Sequence, residues 1–245
     1  MTLLAALRSI VTYVVMVVYV LLAGVPFILL ALLTRNPRPL YAVGLCGVRI
    51  GLACAGIRWR AEGTEHIQRG RAAIYAINHS SNVEPPIIFM TLKELAPRLR
   101  VLYKAELRKL PVLVRAFDIA GFVPLERGNR DQSLPAIEMA ATALKDGNSF
   151  LIFPEGTRSR TGDLLPFKKG GFIMAIRAQA PIVPVAIIGA RAAMRKGSPW
   201  IYPVKVSVRF GPPVESTGLT VEERDRLVQE VRTSMIRLLE AGQIG

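Results

Sequence analysis

The sequence predicts an α/β protein, a mixed sheet flanked by helices and preceded by an N-terminal hydrophobic helical membrane region. Three observations predict it: an uncharged apolar run near the N-terminus, short runs of branched residues alternating with helix-length segments after Arg58, and a closing amphipathic helix. The chain has 245 residues, enough for one ordinary domain or two small ones, and 51% of them are apolar. With 32 Lys plus Arg against 18 Asp plus Glu the formal net charge is +14, and the mean hydropathy is +0.35. This pairing excludes a disordered chain, is too apolar for an ordinary basic nucleic-acid binder, and implies contact with lipid. Cys46 and Cys54 lie in one apolar stretch and are too few for a disulfide framework or a four-thiolate zinc site.

The first region, residues 1–57, carries no acidic residue and four basic ones, Arg8, Arg35, Arg38 and Arg49. Residues 10–33 are uncharged throughout, and a bilayer core needs about 20 apolar residues as helix. Thr34, Arg35 and Asn36 follow this run rather than a small-residue cleavage site, so the segment is expected to be retained. A second apolar stretch, residues 39–57, carries Arg49 near its middle, where a mid-bilayer arginine costs about 3 kcal/mol or more. It reads as interfacial or half-inserted, and the pair as either a span with a surface helix or a hairpin dipping into one leaflet. Arg35, Arg38, Arg58 and Arg60 follow the first segment while only Arg8 precedes it, which puts the bulk of the chain on the cytoplasmic face.

The second region, residues 58–245, is expected to hold the α/β domain. Residues 72–77, 101–103, 122–125, 150–153, 182–188 and 204–210 read as strands, and residues 85–95, 106–117, 134–145 and 171–178 as the helices between them. Ser133 is placed to cap the third of these helices and Gly147 to end it. Val204, Val206, Val208 and Phe210 alternate with Lys205, Ser207 and Arg209, the pattern of a strand with one wet face near a sheet edge. Thr220 and Glu223 form a capping box ahead of Leu227, Val231, Met235, Leu238 and Leu239, which recur at helical spacing.

Polar residues crowd at the C-terminal ends of the predicted strands, where open α/β sheets bind ligands. Asn78, His79, Ser80, Ser81, Asn82, Val83 and Glu84 follow the first of these strands and precede Pro85, a helix-opening residue. Five residues apart on a continuous helix, His79 and Glu84 would diverge by about 140°, so their pairing requires a loop-to-helix bend. An imidazole with an ordinary pKa of about 6.5 serves as a general base near neutral pH, and a carboxylate beside it fixes the tautomer. Phe153 to Ser159 (FPEGTRS) follow another strand, with Arg158 offering a planar fork for phosphate or carboxylate. Arg127 and Arg130 end a third strand, and Lys168, Lys169, Gly170 and Gly171 open a predicted helix as an anion-binding turn. Singly, each cation also fits a solvated face or a headgroup patch, and Glu155 with Arg158 also fits a structural ion pair. Four clusters on strand ends favour a site for a phosphorylated, membrane-derived substrate.

NHxxxxE at Asn78–Glu84 and FPEGTRS at Phe153–Ser159 resemble the paired motifs of the 1-acylglycerol-3-phosphate (lysophosphatidate) acyltransferases. GFVPLER with Arg127, KAEL with Lys104, KKGGF with Lys168 and APIVPVAI from Ala180 extend the resemblance over most of residues 59–210. It implies a glycerolphosphate acyltransferase-like fold and transfer of a fatty acyl group from acyl-CoA or acyl-carrier protein to the sn-2 hydroxyl of lysophosphatidic acid, giving phosphatidic acid. It also implies His79 as base and Glu84 as its orienting partner, with Arg127, Glu155, Gly156, Thr157 and Arg158 binding the acceptor phosphate and Lys104, Lys168 and Gly170 contributing to the substrate site. The family usually has aspartate where this chain has Glu84.

With two histidines and no HExxH, no metal or cofactor dependence is expected. Residues 58–245 contain no cysteine and no G-x-S-x-G elbow, which favours direct transfer over a covalent intermediate. Oxyanion donors near the His79 or Gly170 turns are left unassigned. The alternatives are acylation of a different lysolipid and, further off, a non-enzymatic basic adaptor binding anionic lipid. No nucleic-acid module signature occurs.

Overall fold

The computed structural model describes residues 3–109, 111–126 and 130–242. The chain begins with α1 (Leu3–Tyr19), which continues through one π-helical turn (Val20–Gly24) into α2 (Val25–Thr34). At 32 residues, this helix is long and apolar enough to cross a membrane. Arg35 turns in the left-handed region at φ 50°, and α3 (Arg38–Cys54) runs back against the first helix. Gly47 and Gly51 make the close approach feasible: a Cβ would lie 2.6 Å from the Tyr19 ring at the first and 2.9 Å from Met16 Sδ at the second. The Tyr19 hydroxyl also donates to the Val43 carbonyl at 2.7 Å.

Outward, the first helix shows lipid-compatible side chains, among them Leu3, Leu7, Val14, Leu21, Leu22 and Leu33. Inward, it is bolted to the domain. Ser9 Oγ accepts the Ile201 N–H at 2.8 Å, and the Tyr13 hydroxyl donates to the Pro199 carbonyl at 2.6 Å. Arg49 is exposed on α3, as an interfacial helix requires. The expected division after Ile57 falls inside a shared core, since Leu52, Ala55 and Ile57 are buried together with Tyr75, Ile77 and Val206.

Among the described residues the remainder builds seven strands with helices on both faces. In chain order they are β1 (Arg58–Glu62), β2 (Ile74–Ile77), α4 (Glu84–Thr91), β3 (Leu99–Lys104), α5 (Pro111–Ile119), β4 (Val123–Leu125), α6 (Arg130–Lys145), β5 (Ser149–Ile152), α7 (Gly170–Ala178), β6 (Ile182–Ile188), α8 (Ala190–Ala193), β7 (Lys205–Phe210) and α9 (Arg224–Ala241). The sheet order is β1-β7-β6-β2-β5-β3-β4, parallel throughout except for the antiparallel β6–β7 pair. Because side chains alternate along a strand, Ile74, Ala76, Phe150 and Ile152 face α6, α7 and α9, while Tyr75, Ile77 and Leu151 face α3 and α4. Each buried isoleucine, leucine or phenylalanine among them contributes about 1.5–3 kcal/mol of transfer free energy.

The mixed sheet is the expected one, with local differences that have physical causes. β1 was absent from the expected strands; its Trp59 and Ala61 pack inward between charged Arg58, Arg60 and Glu62, so a two-residue period is carried by only two apolar side chains. β1 takes the edge, leaving β7 one strand in, and the alternating β7 pattern still marks its position near the edge. The helix expected over 106–117 divides into a 3-10 turn (Ala105–Lys109) and α5, which Pro111 opens. α6 starts at Arg130, so Ser133 lies inside it rather than at its cap, and Pro135 is accommodated within the helix. The Thr220–Glu223 capping box forms, leading through a 3-10 turn into α9.

Replacing Gly47 by Leu should force α3 off Tyr19. Overpacking of this kind costs about 1–3 kcal/mol, so thermal unfolding of the detergent-solubilised protein should shift down by several degrees. An unchanged transition would show that the two helices do not need this close approach.

Candidate active site

Since β2, β3, β4 and β5 are parallel, their C-terminal ends meet along one edge of the sheet, and the loops leaving them carry the expected residues. β2 ends at Ile77, and the chain then bends through residues 78–83 before α4 starts at Glu84, with Pro85 and Pro86 in its first turn. That bend brings His79 Nδ1 to 2.7 Å from Glu84 Oε2. Glu84 is completely buried, while the His79 side chain keeps 17% exposure. A carboxylate only accepts, so in the neutral imidazole Nδ1 carries the proton and Nε2 keeps the lone pair that a general base needs. The glutamate arm therefore reaches the ring. The start of α4 adds its dipole to the stabilisation of the buried charge.

Ser80 completes the hold on Glu84. Its Oγ donates to Oε1 at 2.7 Å, and its N–H lies 3.0 Å from both oxygens. Asn78 clamps the same loop to β6, donating from Nδ2 to the Ile187 carbonyl at 3.0 Å and accepting the Ile187 N–H on Oδ1 at 2.7 Å. Ser81 Oγ donates to the Met194 carbonyl at 2.8 Å. The Phe153 ring lies against the imidazole, with centroids 4.2 Å apart.

The FPEGTRS loop after β5 is wired to His79 through its backbone. Glu155 Oε1 accepts the His79 N–H at 2.6 Å, Oε2 accepts the Leu165 N–H at 2.9 Å, and the Ser159 N–H donates to the His79 carbonyl at 2.7 Å. Glu155 is buried, and both its oxygens serve the loop. The structure thus places the expected phosphate-site residue Glu155 on backbone N–H groups, and it makes no ion pair with Arg158 among the described residues. Burial pushes the Glu155 carboxyl above the ordinary range, with Glu84 adding to the shift, against the opposing pull of the two N–H donors and His79.

The cations gather along this same edge. Gly156 turns at φ +69°, and a Cβ there would lie 3.2 Å from Lys168 Cγ, so the Lys168 stem crosses directly over the loop. The Lys168 N–H also donates to the Pro154 carbonyl at 2.7 Å, binding the KKGG turn to FPEG. Lys168 itself has no carboxylate partner among the described residues, whereas Lys169 pairs with Asp225 at 2.7 Å. Gly170 begins α7, and with Phe153, Pro154, Gly156 and Lys168 it lines a cavity of about 400 Å³ whose floor is Leu102, Ile137 and Ile152. Lys104, at the end of β3, forms a surface pair with Glu106 at 2.8 Å, a contact worth at most about 1 kcal/mol and readily exchanged for a ligand. Thr157 is exposed. Lys196, which no sequence signal marked, donates to Thr157 Oγ1 at 3.0 Å and to the Arg158 carbonyl at 2.9 Å. Arg127 lies outside the described residues.

A second hollow, about 340 Å³ and almost wholly apolar, opens where the membrane helices meet the domain. Met16, Tyr19, Gly24 and Gly47 line it from the helices, and Phe89 and Phe122 from the domain. Packing between distant segments creates it, and no single stretch of sequence announces it.

The chain that carries this histidine–carboxylate pair at its parallel-sheet edge is similar to known acyl-transferring proteins. The family model described as Acyltransferase matches residues 58–188, and the chain belongs to that family. Several of the relatives it matches are named 1-acyl-sn-glycerol-3-phosphate acyltransferase. The Limnanthes douglasii protein of that name is 35% identical over 190 residues, 77% of this chain and 66% of the relative. The Homo sapiens alpha form is 31% identical over 183 residues, 74% of this chain and 63% of the relative. The match thus spans about two thirds of the length of these relatives. The crystal structure of the 1-acyl-sn-glycerophosphate (LPA) acyltransferase PlsC from Thermotoga maritima superposes with a TM-score of 0.80 at 28% identity, covering 97% of this chain and 95% of that one.

The Glu155 carboxyl, with a folded pKa above its ordinary 4.5, adds most to stability below that pH and loses the contribution as pH rises through the folded value. Relative to Glu155→Gln, the wild type should therefore lose thermal stability as the buffer is raised from about pH 4 to about pH 7. A difference between the two proteins that stays level with pH would contradict a burial-dominated carboxyl.

Proposed function

We propose that this protein transfers a fatty acyl group from acyl-CoA or acyl-carrier protein to the sn-2 hydroxyl of lysophosphatidic acid, giving phosphatidic acid on the cytoplasmic face of a membrane as a step of phospholipid synthesis. The observation that carries the reading is the 2.7 Å contact between His79 Nδ1 and Glu84, which leaves Nε2 as the base. The acceptor hydroxyl gives its proton to Nε2 as its oxygen attacks the thioester carbonyl carbon. Glu84 stabilises the imidazolium formed, and the tetrahedral intermediate collapses by expelling the thiolate, which takes the proton back from Nε2 as the free thiol. Proton removal of this kind supplies about 10²- to 10⁴-fold in rate.

Lys168 and Arg158 supply positive charge for the acceptor phosphate, with Lys104 and Arg127 as further candidates. The Gly156 and Gly170 turns keep the backbone open at that point. Thr157 shares a hydrogen bond with Lys196 and so borders this charge. The apolar hollow between helices and domain suits an acyl chain, and Phe89, which lines it, belongs to the helix that Glu84 begins. Acceptor and product are both lipids, which the outward-facing side of the first helix brings within reach. The excess of arginines after that helix supports a cytoplasmic domain.

Thiol release from palmitoyl-CoA should require lysophosphatidic acid in the wild type and fall by at least about 10²-fold in His79→Ala, with membrane association retained. Wild-type-like turnover by the variant would remove His79 as base, and release stimulated better by another lysolipid would redirect the acceptor. Arg158→Ala should raise KM for lysophosphatidic acid more than KM for palmitoyl-CoA. Unchanged constants for both would take Arg158 out of the phosphate site.

A further inference from the structure

Glu84 is an unusual anchor for a catalytic ring. It is completely buried, and among the described residues no lysine or arginine pairs with it and its ion-pair partner is His79 itself. One contact from Nδ1 to Oε2 does not fix a glutamate. Its terminal torsion is a broad rotor, so the carboxylate can swing about its last bond and exchange one oxygen for the other without leaving the pocket. What stops that swing is Ser80, which contacts both oxygens.

We propose that Ser80 is a positioning residue of the transfer reaction, its hydroxyl locking Oε1 of Glu84 so that Oε2 is held on His79 Nδ1. The inference rests on the reading of His79 as the general base. The geometry separates Ser80 from its neighbours. Ser81 Oγ is spent on the Met194 carbonyl and Asn78 on Ile187, so both attach the loop to the domain, whereas the Ser80 hydroxyl touches the catalytic carboxylate at 2.7 Å. The same contact argues against Ser80 as a nucleophile: its proton is committed to Glu84, and the residue is buried.

The hydroxyl has an electrostatic effect as well. By donating to Oε1 it draws charge away from Oε2, and its removal concentrates the negative charge beside the imidazole and favours the imidazolium. Besides Glu84, the charged side chain in contact with His79 among the described residues is Glu155, whose Oε1 holds the His79 N–H. Glu155 does not touch Oε1 of Glu84, and in Ser80→Ala the backbone N–H of residue 80, shared between both oxygens at 3.0 Å, is the contact that remains.

The test uses the full chain in detergent micelles, with palmitoyl-CoA and lysophosphatidic acid, across about pH 5–9. Ser80→Ala should lower kcat by about 10- to 100-fold, the range for loss of a group that orients a functional side chain. KM for both substrates should stay within about twofold, and the acid limb of the kcat profile should move to higher pH. In a Glu84→Gln background, Ser80→Ala should cost nothing further, because the two residues act as a unit. The chain has two histidines, so imidazole nitrogen NMR of a His66→Gln protein isolates His79, whose titration midpoint should rise in Ser80→Ala whether or not any acceptor is turned over.

An unchanged kcat with an unmoved His79 midpoint would overturn the inference. So would additive losses in the double variant, which indicate mere loop support, or an acyl ester recovered on a Ser80 peptide. Absence of lysophosphatidate-dependent release in the wild type would count instead against the proposed acceptor, since the NMR midpoint reads Ser80 independently.

Discussion

A carboxylate removed from water is the constraint around which the site is organised. An unpaired buried charge costs several kcal/mol, and Glu84 is tolerated because an imidazole, an N–H, a hydroxyl and the first turn of α4 all point at it. The imidazole, the N–H and the hydroxyl all come from His79 and Ser80, within the six residues between β2 and α4, so the bend that positions the imidazole also satisfies the acid. The cost of the burial is offset locally, and the geometry of the catalytic ring follows from it.

The bend is braced from three sides. Asn78 attaches it to β6, Ser81 to the segment after α8, and Glu155 with Ser159 to the loop after β5. The segment after α8 also receives Ser9 and Tyr13 of the first helix, at Ile201 and Pro199. One short stretch of chain thus touches the membrane-facing helix at one end and the catalytic loop at the other. The lipid-facing surface and the base are held in fixed relation by hydrogen bonds to backbone groups, which tolerate side-chain variation on the partner segment.

The charge of the protein is distributed to the same end. Most arginines and lysines that pair with carboxylates, such as Arg71 with Glu215 and Arg226 with Glu230, lie away from the catalytic loop on exposed surface. Arg158, Lys168 and Lys196 border that loop without a carboxylate partner among the described residues. Cations left without a carboxylate partner along one edge add up to a positive field there.

Local chemistry by itself determined a good deal here. The uncharged run of residues 10–33, the strand and helix periods after Arg58, the Thr220–Glu223 cap and the location of His79, Glu84 and the FPEGTRS loop at strand ends were all legible, because each depends on residues within a few positions of one another. The bend needed to pair His79 with Glu84 was legible for the same reason. Tertiary structure alone decided the rest. Whether Glu155 faced a ligand or the His79 N–H depended on how β2 and β5 align, and Lys196 reaches Arg158 across 38 positions of chain. The edge strand β1 hid because its charged half faces solvent, and the apolar hollow exists only where α1, α3, α4 and α5 converge. Contacts between segments distant in sequence are set by the packing of the whole chain, and no local pattern encodes which backbone group a buried side chain will meet.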